Sequence, residues 1–116
     1  MVDKKTIGRI GEDIAAVYYR KRGYRILARN FRCRAGEVDI FASKTRTLYV
    51  IEVKYRQSDA FGFPEEAVTP AKKKRMIVTA HRFLEEYGGL WKSIEGHVAA
   101  IELHTGKPVV TIFTSE

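Results

Sequence analysis

The chain has 116 residues, 45% hydrophobic and 30% charged, which suits one soluble globular domain (1–116) that buries a core without disulfides or structural metal. No apolar run approaches the roughly 20 residues that span a bilayer. The first residues lack a signal peptide's apolar core, and the single cysteine, Cys33, excludes an internal disulfide and a thiolate metal cluster. The expected location is the cytoplasm. The net charge of +7 is lopsided: residues 1–58 hold 14 Lys/Arg against 6 Asp/Glu, and residues 59–116 hold 7 against 8. Such a basic half points to an acidic partner, most commonly nucleic acid.

Residues 7–22 read as a helix, with Ile7, Ile10, Ile14, Val17 and Tyr18 as its apolar stripe, Thr6 as N-cap and Gly23 just past its end. Residues 24–32 read as a strand rich in β-prone residues. Segments 36–42 and 48–55 read as a hairpin around the polar turn 43–47. A loop follows over 57–67, with a short helical turn after Pro64. Thr69-Pro70 opens a second helix, with Thr as N-cap and Pro at the first helical position. Its stripe is Met76, Ile77, Ala80, Phe83, Leu84 and Tyr87, and Gly88-Gly89 ends it. Short strands are expected near 97–103 and 108–114, joined through Gly106-Lys107-Pro108. The order helix, three strands, helix, two strands gives an α/β fold, a central mixed β-sheet flanked by helices.

The chemistry concentrates in the hairpin. Alternation puts Glu37 and Asp39 on one face of the first strand, and Val50, Glu52, Lys54 and Arg56 on one face of the second. Val38, Ile40, Ile51 and Val53 are then expected to share the core side. A turn centred between Thr45 and Arg46 sets Asp39 opposite Glu52 and Glu37 opposite Lys54. Opposed carboxylates about 5 Å apart repel by about 3 kcal/mol at an effective dielectric near 20. A hard divalent cation offsets this, since carboxylates suit Mg²⁺, which keeps waters for chemistry. Lys54 then stands where it can orient the attacking water or stabilise phosphoryl charge. Spacing alone favours a plainer alternative, in which Lys54 and Arg56 pair with the acids on a half-exposed hairpin.

The wider pattern decides between them. Asp39, a turn and Glu52-Val53-Lys54 resemble the PD-(D/E)XK nuclease motif. The segments "GRIGEDIAA" (8–16), "GYRIL" (23–27), "RNFR" (29–32), "GEVDIF" (36–41), "VIEVKYR" (50–56), "FG" (61–62) and "VTPAKKKRM" (68–76) resemble the bacterial YraN-like family, itself similar to archaeal Holliday junction resolvases. The resemblance implies a restriction-endonuclease-like αβββαβ core and an endonuclease dependent on Mg²⁺ (or Mn²⁺) that hydrolyses DNA, including branched DNA. It assigns metal binding to Asp39, Glu52 and the Val53 carbonyl, the catalytic lysine to Lys54, and a catalytic acid to Glu12. Junction cleavage needs two sites, hence a homodimer. The motif's proline is replaced by Val38. The late strand reads Gly96-His97-Val98-Ala99 where related sequences carry an Arg-Phe-Asp-like stretch, so no functional acid or arginine is assigned there. An alternative of another class is a nucleic-acid-binding module that keeps the fold without turnover.

Glu12 lies opposite the Ile10/Ile14/Val17 stripe, among Gly8, Gly11, Ala15 and Tyr19. Glycines in an exposed helix cost roughly 1 kcal/mol each relative to alanine, so something is expected to pack close to that face, with Glu12 aimed at the metal site. Lys72 and Lys73, beside a helix N-terminus, are candidate phosphate contacts, and Lys74 and Arg75 read as solvated charges. Arg9, Arg32 and Arg56 are candidate nucleic-acid contacts, with Arg29 and Arg34 as further ones. Tyr55 and Phe61 read as packing residues rather than base stackers. His81, His97 and His104 show no ligand spacing, and Trp91 is expected to close the core.

Overall fold

The computed structural model describes residues 3–56 and 69–115, with the side chains of Lys4, Arg56 and Ser115 outside that description. The loop expected over 57–67, with the turn after Pro64 and Phe61, lies outside the described residues. In chain order the elements are α1 (Lys4–Lys21), β1 (Arg25–Cys33), β2 (Gly36–Lys44), β3 (Thr47–Arg56), α2 (Pro70–Tyr87), β4 (Ser93–His104) and β5 (Lys107–Ser115). This is the expected order, with β4 and β5 longer than expected. The sheet runs β1-β2-β3-β4-β5, antiparallel throughout except for the parallel β3–β4 pair. A parallel pair needs a crossover, and the connection from β3 to β4 contains α2. One helix covers each sheet face: α1 packs on a cluster with Ile40, Ala42, Ile51, Ala99 and Ile101, and α2 on one with Val38, Phe41, Leu48 and Val50. The result is the expected α/β fold, consistent with a restriction-endonuclease-like core. No described helix is long and apolar enough to cross a membrane.

Helix α1 departs from expectation in its start and in the face it buries. Asp3 is the N-cap, its Oδ1 accepting from the Thr6 N–H at 2.8 Å, so Thr6 lies inside the first turn. Gly23 closes the helix at φ 87°, with its N–H on the Arg20 carbonyl and the Tyr24 N–H on the Tyr19 carbonyl, a left-handed closure that glycine makes at low cost. The buried stripe is Gly11, Ala15, Ala16 and Tyr19. Of the expected apolar stripe, Ile14 and Tyr18 are half-buried, while Ile10 (44% exposed) and Val17 (46%) face outward. Close approach explains the choice. A Cβ at Gly11 would sit 3.2 Å from the Tyr55 Cβ, so the small residues let the helix backbone come down onto β3. Tyr19 fills the space left further along. It is 1% exposed, its hydroxyl hydrogen-bonds His97 Nδ1 at 2.9 Å, and its ring meets Tyr18 and Tyr24 edge to face. His97 is thus a satisfied core histidine, whose burial lowers its pKa.

The remaining signals read locally are in place. Thr45 and Arg46 both have positive φ (47° and 62°), as a two-residue hairpin turn requires. Thr69 caps α2, its Oγ1 accepting from the Lys72 N–H at 3.1 Å, with Pro70 in the first turn and Gly88 at φ 79° ending the helix. Met76, Ala80 and Phe83 are buried as expected, and Phe83 stacks on Phe41 with centroids 4.2 Å apart. Ile77 and Tyr87 of the expected stripe are exposed, and Thr79 takes the buried place, its hydroxyl satisfied by the Arg75 carbonyl at 2.7 Å. Trp91 packs against this cluster as expected.

The two glycines of α1 therefore respond oppositely to substitution. A Cβ at Gly8 meets nothing within 4 Å, so Gly8→Ala is expected to stabilise the fold by about 0.5–1 kcal/mol. Gly11→Leu is expected to destabilise it by about 1–3 kcal/mol through overpacking against Tyr55 and Val53. Urea unfolding of the two variants checks the signs, and a loss at both positions would sink the close-approach account.

Candidate active site

The register that the turn sets runs from Lys44↔Thr47 to Ile40↔Ile51 and stops there. Asp39 and Glu52 would form the next pair. Instead, Asp39 Oδ2 accepts the Val53 N–H at 2.7 Å. A carboxylate has replaced a backbone carbonyl as the partner of β3. In an antiparallel pair a residue's N–H and C=O face the same neighbour, so the Val53 carbonyl is directed to the Asp39 side as well.

The irregularity reaches across the sheet. Alternation would put Val38 and Ile40 on one face, as expected from the sequence. They are on opposite faces: Val38 joins the α2-side cluster and Ile40 the α1-side cluster. On β1, Ala28 and Phe31, three residues apart, both join the α2 side, with Asn30 between them at φ 55°. Asn30 falls between the Arg29–Ile40 and Phe31–Val38 pairs, hence beside Asp39. Both strands change face at the same point, which explains how Asp39 reaches clefts on both sides. The cleft on the α2 side, about 250 Å³, is lined by Asp39, Glu52, Lys72, Arg75 and Thr79 among others. The one on the α1 side, about 340 Å³, is lined by Lys5, Arg9, Glu12, Asn30, Arg32 and Asp39 among others.

Glu52 follows Val50 onto the α2 face. Its Oε1 binds Lys72 Nζ from α2 and lies 3.5 Å from Lys54 Nζ, while its Oε2 is buried with no hydrogen-bond partner. Glu12 approaches from α1. Its side chain is 14% exposed, with Arg29 3.5 Å away, and its Oε1 is buried without a hydrogen bond. Arg29 makes its short contact, 2.7 Å, to Asp13.

Asp39 carries the clearest electrostatic signature. Its pKa rises from 3.8 to about 6, chiefly through burial and further through Glu12, Glu52 and Glu37, while the Val53 N–H acts the other way. Glu52 Oε2 and Glu12 Oε1 are buried without a hydrogen bond, the latter within ion-pair distance of Arg29, and carboxylate oxygens are hard donors of the kind that suits Mg²⁺ or Mn²⁺. Among the described residues no three Asp, Glu, His or Cys side chains converge closely enough to hold an ion. A metal here would rely on Asp39, Glu52, the Val53 carbonyl and water.

Asp39, Glu52 and Lys72 thus share the α2-side cleft, with Lys54 beside Glu52 and the Val53 N–H on Asp39, while Glu12 and Arg9 border the α1-side cleft, which Asp39 also reaches. Several expected placements differ. Glu37 pairs with Arg32 at 3.1 Å, not with Lys54, because the β2–β3 ladder ends before Glu37 and β1 is its neighbour. Arg32 borders the cleft with its head on Glu37. Lys72 lies on Glu52 rather than free for phosphate. Lys73 lines a separate small cavity with Val50, Ile94 and Gly96. Arg29, a further candidate nucleic-acid contact, sits on Glu12 and Asp13. Arg56 ends β3. Arg75 and Thr79 at the cleft were not foreseen as site residues, since a solvated charge and a buried threonine carry no local signal.

The Asp39 shift has a defined sign. A displacement from 3.8 to about 6 corresponds to roughly 3 kcal/mol. Between those values the folded state holds more protons than the unfolded one, so stability falls as pH rises through this window, and the full cost applies above it. Asp39→Asn keeps an acceptor for Val53 and removes the charge. It is expected to be more stable than the parent by about 1–3 kcal/mol at pH 8, with the gap closing toward zero near pH 4. Urea titrations at both pH values check this, and an equal gap at both would refute the assignment.

Comparison with known proteins places the chain. A family model described as "Uncharacterised protein family UPF0102" matches residues 11–103. A UPF0102 protein of Nocardia farcinica is 40% identical over 109 residues, covering 93% of this chain and 86% of the relative. One from Geobacter sulfurreducens is 43% identical over 99 residues (85% and 77%), and one from Lachnoclostridium phytofermentans 48% over 83 (72% and 70%). The chain belongs to the UPF0102 family, the YraN family that its motifs resemble.

Proposed function

We propose that this protein is a metal-dependent endonuclease that hydrolyses DNA phosphodiester bonds, with branched DNA as its substrate class and the cytoplasm as its location. One observation carries the reading: Asp39 and Glu52 meet where the β2–β3 ladder stops, with Lys54 beside Glu52 and Glu12 arriving from α1. Asp39, Glu52 and the Val53 carbonyl would hold Mg²⁺ or Mn²⁺. When bound, such an ion supplies Lewis acidity and an activated water. The chain's own groups do the rest. Lys54, 40% exposed, donates hydrogen bonds to charge that develops on the phosphoryl oxygens. Glu12 Oε1, an acceptor without a hydrogen bond, orients the attacking water. Arg29 holds Glu12 in place. Lys5, Arg9 and Arg75 border the two clefts and neutralise flanking phosphates. The branched substrate rests on the YraN-like resemblance to junction resolvases, and cleavage of both strands of a junction would need a homodimer.

A second reading has its own support. Lys72 and Lys54 both neutralise Glu52, and no three ligating side chains converge among the described residues. This favours a nucleic-acid-binding module with a nuclease fold and no turnover. Cleavage of linear, single-stranded and four-way DNA in Mg²⁺ or Mn²⁺ separates the two. The endonuclease reading expects cleavage, lowered at least about a hundredfold by Asp39→Asn, Glu52→Gln or Lys54→Met. Salt-sensitive binding to DNA without cleavage of any substrate would establish the module instead. Cleavage untouched by Asp39→Asn would show that the site is elsewhere.

A further inference from the structure

Among the described residues, Lys72 is in direct contact with the candidate metal ligand Glu52, and it comes from another element. It sits in the first turn of α2, where its backbone N–H is fixed by Thr69. Its ammonium lies on Glu52 Oε1, the same oxygen that Lys54 approaches at 3.5 Å. Lys54 shares the strand and face of Glu52 and stays beside it whatever α2 does. Lys72 is held to Glu52 only through its head. Its side chain is 29% exposed, and its stem borders the α2-side cleft with Arg75. Lysine is a compact charge on a flexible stem with three donors, able to exchange one oxyanion for another.

From this we infer that Lys72 is a positioning residue with two posts. In the resting site its ammonium stands in for the divalent ion, neutralising Glu52. When the ion binds, like charge drives the ammonium off Glu52 and onto a phosphate oxygen of the strand in the cleft. The inference rests on the metal-dependent reading above. It makes Lys72 compete with metal and help to bind substrate only after metal has arrived. A structural ion pair would do neither, and a plain phosphate contact would act with or without metal.

Two measurements test this, neither of them turnover. Mn²⁺ binding is followed by electron paramagnetic resonance in the parent protein, Lys72→Met, Lys72→Gln, Lys72→Arg and Glu52→Gln, each checked for cooperative unfolding. Removing a competing cation is expected to tighten Mn²⁺ binding about tenfold in Lys72→Met and Lys72→Gln, and to leave Lys72→Arg within about threefold of the parent. Salt dependence of binding to a phosphorothioate DNA is then measured in EDTA and in Ca²⁺. Parent and Lys72→Met are expected to share one slope in EDTA, and in Ca²⁺ the parent slope is expected to be steeper by about 0.9, one phosphate contact. Unchanged or weaker Mn²⁺ binding in both neutral variants overturns the inference, as does a slope difference that is equal in EDTA and Ca²⁺. If Glu52→Gln abolishes Mn²⁺ binding while the neutral variants do not tighten it, the inference alone fails. If Glu52→Gln leaves Mn²⁺ binding unchanged, the metal reading at Glu52 fails with it.

Discussion

The contact from the Val53 N–H to the Asp39 carboxylate is the constraint on which the site depends. A hairpin that continued its ladder past Ile40 and Ile51 would pair backbone with backbone and leave Asp39 and Glu52 as ordinary cross-strand neighbours. By taking the N–H itself, Asp39 ends the ladder, becomes partly buried and opens the end of β3. The raised pKa is the electrostatic consequence: burial and neighbouring acids outweigh one hydrogen bond. A place that disfavours its own charge in this way is a common mark of functional sites.

The approach of α1 serves the same place. With Gly11, Ala15 and Ala16 against the sheet, the helix sits low enough for Glu12 to reach the neighbourhood of Asp39. A helix packed on its isoleucines would stand further off and turn Glu12 to solvent. Packing on small residues therefore positions an acid, and it leaves Ile10 and Val17 exposed on the opposite side.

Much of the fold was legible because its signals are local. Thr69-Pro70, Gly23 and Gly88 mark helix ends through dihedral and hydrogen-bonding rules that need no distant partner. Thr45-Arg46 set the hairpin register, and with it the pairing that brings Asp39 toward Glu52. Asp3 was missed as N-cap because the chain offers two capping residues three apart. The buried stripe of α1 was missed because hydrophobicity ranks Ile above Gly and Ala, while close packing here selects for size. Of the two glycines beside Glu12, only Gly11 lies against the sheet, while Gly8 has open space around it, so the glycine cost pointed to a close approach at one position and not at the other.

The sequence by itself determined the element order, the α/β class and the hairpin register, since these follow from capping, turn chemistry and period-two alternation, while the candidacy of Asp39, Glu52 and Lys54 rested on the resemblance to the PD-(D/E)XK motif. Only the tertiary structure decided which face of α1 is buried, where the ladder stops, that Val38 and Ile40 part to opposite faces, and that Lys72 rests on Glu52. Each of these depends on the distance between elements far apart in the chain. Spacing along a sequence holds no record of such distances.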